Sequence, residues 1–131
     1  MSINFRVWDK EGHRMIPPKY LYSIDLLQEQ VTERTKCNYT FSLRSIPFDK
    51  VEIMQSTGFF DKNGKEIFEG DVVKCSGLLG IIKSFKAMWI CSFVKYSNYQ
   101  KVGFFDKEIE VVGNVYENWE LVQEEKDRSC E

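Results

Sequence analysis

The chain reads as mainly β, a small barrel over about residues 50–122 preceded by a β-hairpin or extended subdomain, with little helix. Three observations carry that reading. Ten Phe, six Tyr and three Trp stand against a single Ala in 131 residues, which suits pleated, half-buried surfaces better than helices. From Val72 to Val122, short apolar runs alternate with turn signals at the spacing of barrel strands. Two tight-turn signatures also follow one another in the stretch Met54 to Cys75, MQSTGFFDKNGKEIFEGDVVKC. Closure into a barrel removes exposed edges, and it suits a small core of Val, Ile, Phe and Trp. The most economical architecture of this kind is an SH3-like barrel.

In chain order, Asn4 to Trp8 alternates as a short strand. Asp9 to Gly12 is a turn, and Arg14 to Ile16 is the returning strand of a hairpin. Pro17-Pro18 excludes helix and extends the chain. Segment 19–44 is the least readable. Tyr20 to Ile24 suits a strand and Cys37 to Leu43 alternates as another; Ile24, Leu27 and Val31 also stand at helical spacing among the helix formers of Asp25 to Arg34, and the polar residues between the two strands are expected to be loop. Residues 1–49 thus form an N-terminal β subdomain.

Pro47 interrupts the chain, and Val51 to Gln55 leads as a strand into the central stretch. Asn63-Gly64 marks a hairpin, because both residues tolerate the positive φ of a type I′ turn. Gly70 can take a left-handed conformation between Glu69 and Asp71. Two acids around a turn glycine read as turn chemistry rather than a catalytic pair, which needs carboxyls with separated pKa values. The same holds for Asp61.

Val72 to Cys75 is the next strand. Ser76-Gly77 and Gly80 bracket a bend, and Gly80 to Phe85 is a strand. Ala87 to Tyr96 reads as one long apolar strand, and Ser97 to Gly103 as a polar loop. Phe104-Phe105 and Glu110 to Val115 are short strands. Asn118 is placed to cap a single helical turn through Val122. Residues 123–131 form a charged, frayed tail.

The four cysteines, Cys37, Cys75, Cys91 and Cys130, are widely spaced. That excludes CxxC zinc and redox motifs and points to reduced thiols in a cytosolic protein. The single histidine, His13, lies in a turn, so neither a metal centre nor a cofactor is expected. Neither a signal-peptide pattern nor an apolar run of membrane-spanning length is present, so a soluble, cytoplasmic protein is expected. No P-loop, GxGxxG or GxSxG occurs, and since an enzyme needs a nucleophile, base or metal in supporting geometry, a non-enzymatic role is expected.

Two kinds of binding remain. Between Val72 and Lys107, six lysines face one acid, Asp106, although the whole chain carries a net charge of −2. Aromatic residues are interleaved with these lysines. Lys83, Lys86, Trp89, Lys95, Tyr96 and Tyr99 are therefore candidates for a macromolecule-binding surface. Lysines neutralise phosphates and exposed aromatics stack on bases. In the opposing reading the lysines occupy the solvent face, with Phe85, Ala87 and Trp89 together on the core face. A protein partner fits an aromatic groove around residues 96–100. The barrel edges or the N-terminal hairpin are surfaces through which two copies could pair.

The stretch Met54 to Cys75 resembles the signature of the YopX family, which is carried by bacteriophages and prophages. Phe5 to Lys10 is similar to the opening of that family and Glu110 to Asn118 to its closing segment. Residues 19–50 match poorly, and Trp119 stands where the family often has Pro or His. The resemblance implies an SH3-like barrel with an N-terminal portion, and an accessory protein that meets a host or phage partner. It supplies no catalytic residues to carry over.

Overall fold

The computed structural model describes residues 4–96 and 98–128. The sequence-based expectations placed on Ser97 and on Cys130, including its reduced thiol, lie outside the described residues. The chain is mainly β with two short helices, and it divides into two compact units, residues 1–55 and 56–131.

In the first unit, β1 (Phe5–Asp9) and β2 (Arg14–Ile16) form the expected hairpin. The start of β6 (Val51–Phe60) pairs on the other side of β1. A three-stranded antiparallel sheet of β3 (Leu21–Asp25), β4 (Gln30–Cys37) and β5 (Thr40–Pro47) completes the unit. Its core is Val7, Ile16, Val31, Ile46 and Val51, with Leu21, Ile24, Phe48 and Ile53 against it.

Residues 30–36, expected as loop, are therefore continuous strand with Cys37, and the strand expected from Cys37 to Leu43 is broken by a turn at Asn38-Tyr39. The periodicity of residues 30–37 was hidden because Val31 is followed on the core side by a charge. Glu33 is buried there and forms a bidentate pair with Arg14 of β2. An ion pair lets a strand bury an acidic residue that would otherwise signal solvent.

In the second unit, the end of β6 pairs with β7 (Glu66–Phe68). A five-stranded antiparallel sheet runs in the order β11-β10-β9-β8-β12. Its strands are β8 (Asp71–Cys75), β9 (Leu78–Phe85), β10 (Met88–Phe93), β11 (Tyr99–Lys101) and β12 (Ile109–Asn114). One face buries Val73, Cys75, Ile82, Cys91, Phe93 and Ile109 with Ile67 and Val102. On Val72 and Leu79 packs Val122 of the C-terminal helix α2 (Trp119–Arg128).

Several local expectations are corrected. Residues 104–105 belong to a short helix, α1 (Val102–Phe105), continued by a 3-10 turn over 106–108, rather than to a strand. The chain must travel here from one edge of the sheet at β11 to the other at β12, and helical turns make that crossing compact. The long strand 87–96 is shortened to β10, because Lys86 and Ala87 form a two-residue turn with φ of 49° and 63°. At Asn63-Gly64 only Gly64 has positive φ (79°), and its N–H bonds to the Asp61 carbonyl at 3.0 Å. That geometry is a four-residue turn closed by a left-handed glycine rather than type I′.

Asn118 does not cap α2 with its side chain. Its Oδ1 instead accepts from the Asn114 N–H at 3.1 Å, while its carbonyl accepts from Leu121 N–H at 3.0 Å. The helix runs on to Arg128, so residues 123–128 are helix rather than a frayed tail.

Candidate functional site

The lysine and aromatic candidates fall on the β9–β10–β11 sheet and its connections, and register decides which of them face together. Met88 lies opposite Phe85, Ile90 opposite Lys83 on one side and Lys101 on the other, and Ser92 opposite Tyr99. Directly opposed residues in an antiparallel pair share a face. Lys83, Phe85, Tyr99 and Lys101 therefore line one face around the buried Ile90.

The rings of Phe85 and Tyr99 meet at 5.6 Å between centroids, tilted by 59°, and are 41% and 49% exposed. The Lys86 ammonium sits 5.3 Å above the Phe85 ring. Burial is the usual fate of such large rings, so a tilted pair left half in solvent with cations around it is an exposed apolar surface with a positive border.

Trp89 is on the opposite face. It pairs with Ser84 and packs half-buried against the core. Phe85 and Trp89 thus do not share a face, as alternation through an unbroken strand would have it. The Lys86-Ala87 turn intervenes and brings Phe85 out. Lys95 and Tyr96 are exposed in the connection after β10, and neither makes a ring or ion contact to the patch among the described residues. Lys83, Lys86 and Tyr99 come together, while Phe85 and Lys101 were not among the sequence-based candidates. The signal that could have found Phe85 was a two-residue turn at Lys86-Ala87, which carries no Gly or Asn to mark it.

Buried carboxylates are the other residues open to a chemical reading. Asp61 is 1% exposed. Its Oδ1 accepts from the N–H groups of Asn63 (2.9 Å) and Lys65 (2.8 Å), and its Oδ2 from Val111 N–H (2.9 Å). Burial opposes its ionisation, but the backbone donors from Val111, Lys65 and Asn63 outweigh burial and hold the carboxyl below its usual range. Asp9 is fully buried. Burial again raises its pKa, and the Gly12 N–H with Arg44 and Arg14 brings it below the ordinary value. Asp71 accepts from Phe68 N–H at 2.8 Å across the Gly70 turn, where φ is 86°. Each carboxylate is thus aimed at backbone or at arginine, which is how a fold holds its turns.

His13 is exposed in the β1–β2 turn, where φ is 52°. Burial pushes the Cys91 thiol up to about 12, with a smaller contribution from Cys75, and also raises Cys75. Among the described residues, no three His, Cys, Asp or Glu side chains gather as a metal-binding group. No helix among them is long and apolar enough to cross a membrane.

A family model described as YopX protein matches residues 4–123. No curated protein matches the sequence. Among solved structures, protein EF1440 from Enterococcus faecalis is 24% identical, with 93% of this chain and 99% of that chain covered and a TM-score of 0.61. Protein yopX from Bacillus subtilis is 22% identical, with 90% and 96% covered and a TM-score of 0.64. At these identities the likeness to both structures is one of fold.

Proposed function

The chain belongs to the YopX family, and on that footing we propose that it is a non-enzymatic binding module whose second unit docks on a protein partner through Phe85, Tyr99 and the surrounding lysines. One observation carries the reading. Two half-exposed rings in mutual contact lie on one face of the sheet, under a lysine. Aromatic anchors of this kind supply most of the energy of a protein interface, and a polar or charged rim supplies its specificity. In this reading the protein acts in the cytoplasm as a phage or prophage accessory factor, and the partner is a host or phage protein. The family resemblance is what supports that provenance.

An SH3-like barrel over about residues 50–122 is part of the same proposal. It is supported by the meander β8-β9-β10-β11, the return of β12 beside β8, and the 3-10 turn before β12. A barrel of this order leaves its connecting loops and one sheet face free for ligands.

Capture with the full chain tests the docking surface. Phe85→Ala with Tyr99→Ala should abolish recovery of a partner that the parent protein retains, with unchanged thermal unfolding. Equal recovery by both proteins would remove the patch from consideration.

A second reading, nucleic-acid binding, is favoured by one feature. Lys83, Lys86 and Lys95 form no ion pair among the described residues, although the chain is rich in acids. Under that reading Lys86→Glu with Lys95→Glu abolishes salt-sensitive binding to labelled oligonucleotides. Unchanged binding would dismiss it.

A further inference from the structure

The first unit carries a different surface. Strands β4 and β5 pair over eight positions, from Gln30 opposite Pro47 to Cys37 opposite Thr40. Only the base of this ribbon is anchored, by Val31 and Ile46 in the core. Every residue from Arg34 to Ser45 is exposed, on both faces of the ribbon. Four residue pairs beyond Glu33 and Arg44 extend roughly 13 Å, and the turn at Asn38-Tyr39 adds to that.

The chemistry of this arm departs from that of the chain. Residues 34–47 contain Arg34, Lys36 and Arg44 and no Asp or Glu, in a protein with a net charge of −2. Arg44 reaches back to Asp9 at 3.2 Å. Arg34 and Lys36 lie on one face, opposite Leu43 and Phe41, and the Arg34 guanidinium covers the Phe41 ring at 4.1 Å. The remaining side chains toward the tip are the short hydrogen-bonding groups Thr35, Asn38, Thr40 and Ser42 and the thiol of Cys37, with Tyr39 fully exposed at the turn.

We propose that this arm binds duplex nucleic acid by laying its two strands in a groove. Two strands about 4.8 Å apart, with their side chains, fit a major groove about 12 Å wide. Arg34 and Lys36 then meet phosphates, while the Thr, Ser and Asn side chains reach base edges. Charge decides for a polyanion over a neutral protein surface. The molecule as a whole gives no attraction to phosphate, so an acid-free, positively charged ribbon is the local field such binding needs. The proposal is independent of the docking surface in the second unit.

The test is fluorescence anisotropy of the full chain with a short labelled DNA duplex of mixed sequence, at two salt concentrations. With two to three phosphate contacts, a fourfold rise in salt should weaken binding by about tenfold or more. Arg34→Glu with Lys36→Glu should remove binding, and Arg34→Gln with Lys36→Gln should weaken it to an intermediate level, both with the parent's thermal unfolding. Lys62→Glu with Lys107→Glu, exposed in the other unit and outside its ring surface, should leave it unchanged. No binding at low salt would overturn the proposal, as would retention in the Glu variant or equal loss in the second-unit variant. So would better competition by a single strand or by polyglutamate than by the duplex.

Discussion

Asp61 ties three backbone donors together from a turn and from a strand fifty residues away. Asp61→Ala leaves those N–H groups without their acceptor in a buried place, and should cost about 3 kcal/mol or more in chemical denaturation. Its carboxyl and that of Asp9 are held below the value of about 3.9 expected when unfolded. Groups depressed in the folded state stabilise fully above the unfolded value, and that stabilisation is lost as pH falls through the folded one. The denaturation midpoint should therefore be flat near neutrality and fall below about pH 4. It should fall less steeply in Asp61→Asn. A parent protein equally stable on both sides of that range would refute the assignment. Thiol labelling gives a second check at this scale. Cys37 is exposed, whereas Cys75 and Cys91 are buried with raised pKa values. Cys37 should react with an alkylating reagent in the native protein, and Cys75 and Cys91 only after unfolding.

The β9–β10 hairpin shows at the scale of an element where sequence reading succeeds and where it fails. The turns at Ser76-Gly77 and Gly70 were legible, because glycine marks positive φ, and both glycines adopt it. Lys86-Ala87 adopts the same left-handed geometry without any residue that favours it, so the apolar pattern runs through the turn unmarked and puts Phe85 and Trp89 on one face, where the hairpin separates them. Strand β4 was obscured for another reason, the burial of Glu33 against an arginine distant in sequence. The side-chain cap expected at Asn118 failed because its oxygen has a competing donor in Asn114. Left-handed geometry at ordinary residues costs about 1–2 kcal/mol each. Replacing Lys86-Ala87 by Asn-Gly should therefore raise stability by about 1 kcal/mol or more, read as a higher melting temperature. A lower one would contradict the turn geometry. Gly80→Ala should act the other way. A Cβ there collides with the Cys91 sulfur, and overpacking of this kind costs about 1–3 kcal/mol.

At the scale of the whole molecule, the chain carries two units, each with a core of its own and an exposed surface unlike the other. The mainly β class was legible from turn glycines and aromatic content, the N-terminal hairpin from a turn between two short alternating runs, and the family from the resemblance carried by Met54 to Cys75. The surfaces were half-legible. Lysine excess between Val72 and Lys107 singled out candidates on the β9–β10–β11 sheet but included Trp89, which packs on its inner side. The acid-free run 34–47 lay in plain sight but acquires meaning only once its residues are seen to be exposed on both faces. The central claim is that the second unit docks through Phe85 and Tyr99, and the most direct measurement is quantitative partner capture from cell lysate, compared among three full-length proteins. These are the parent, the Phe85→Ala/Tyr99→Ala variant and the Arg34→Gln/Lys36→Gln variant. If the second unit docks through these rings, a protein should be retained by the parent and the arm variant and lost from the ring variant. Retention of the same protein by all three would contradict it.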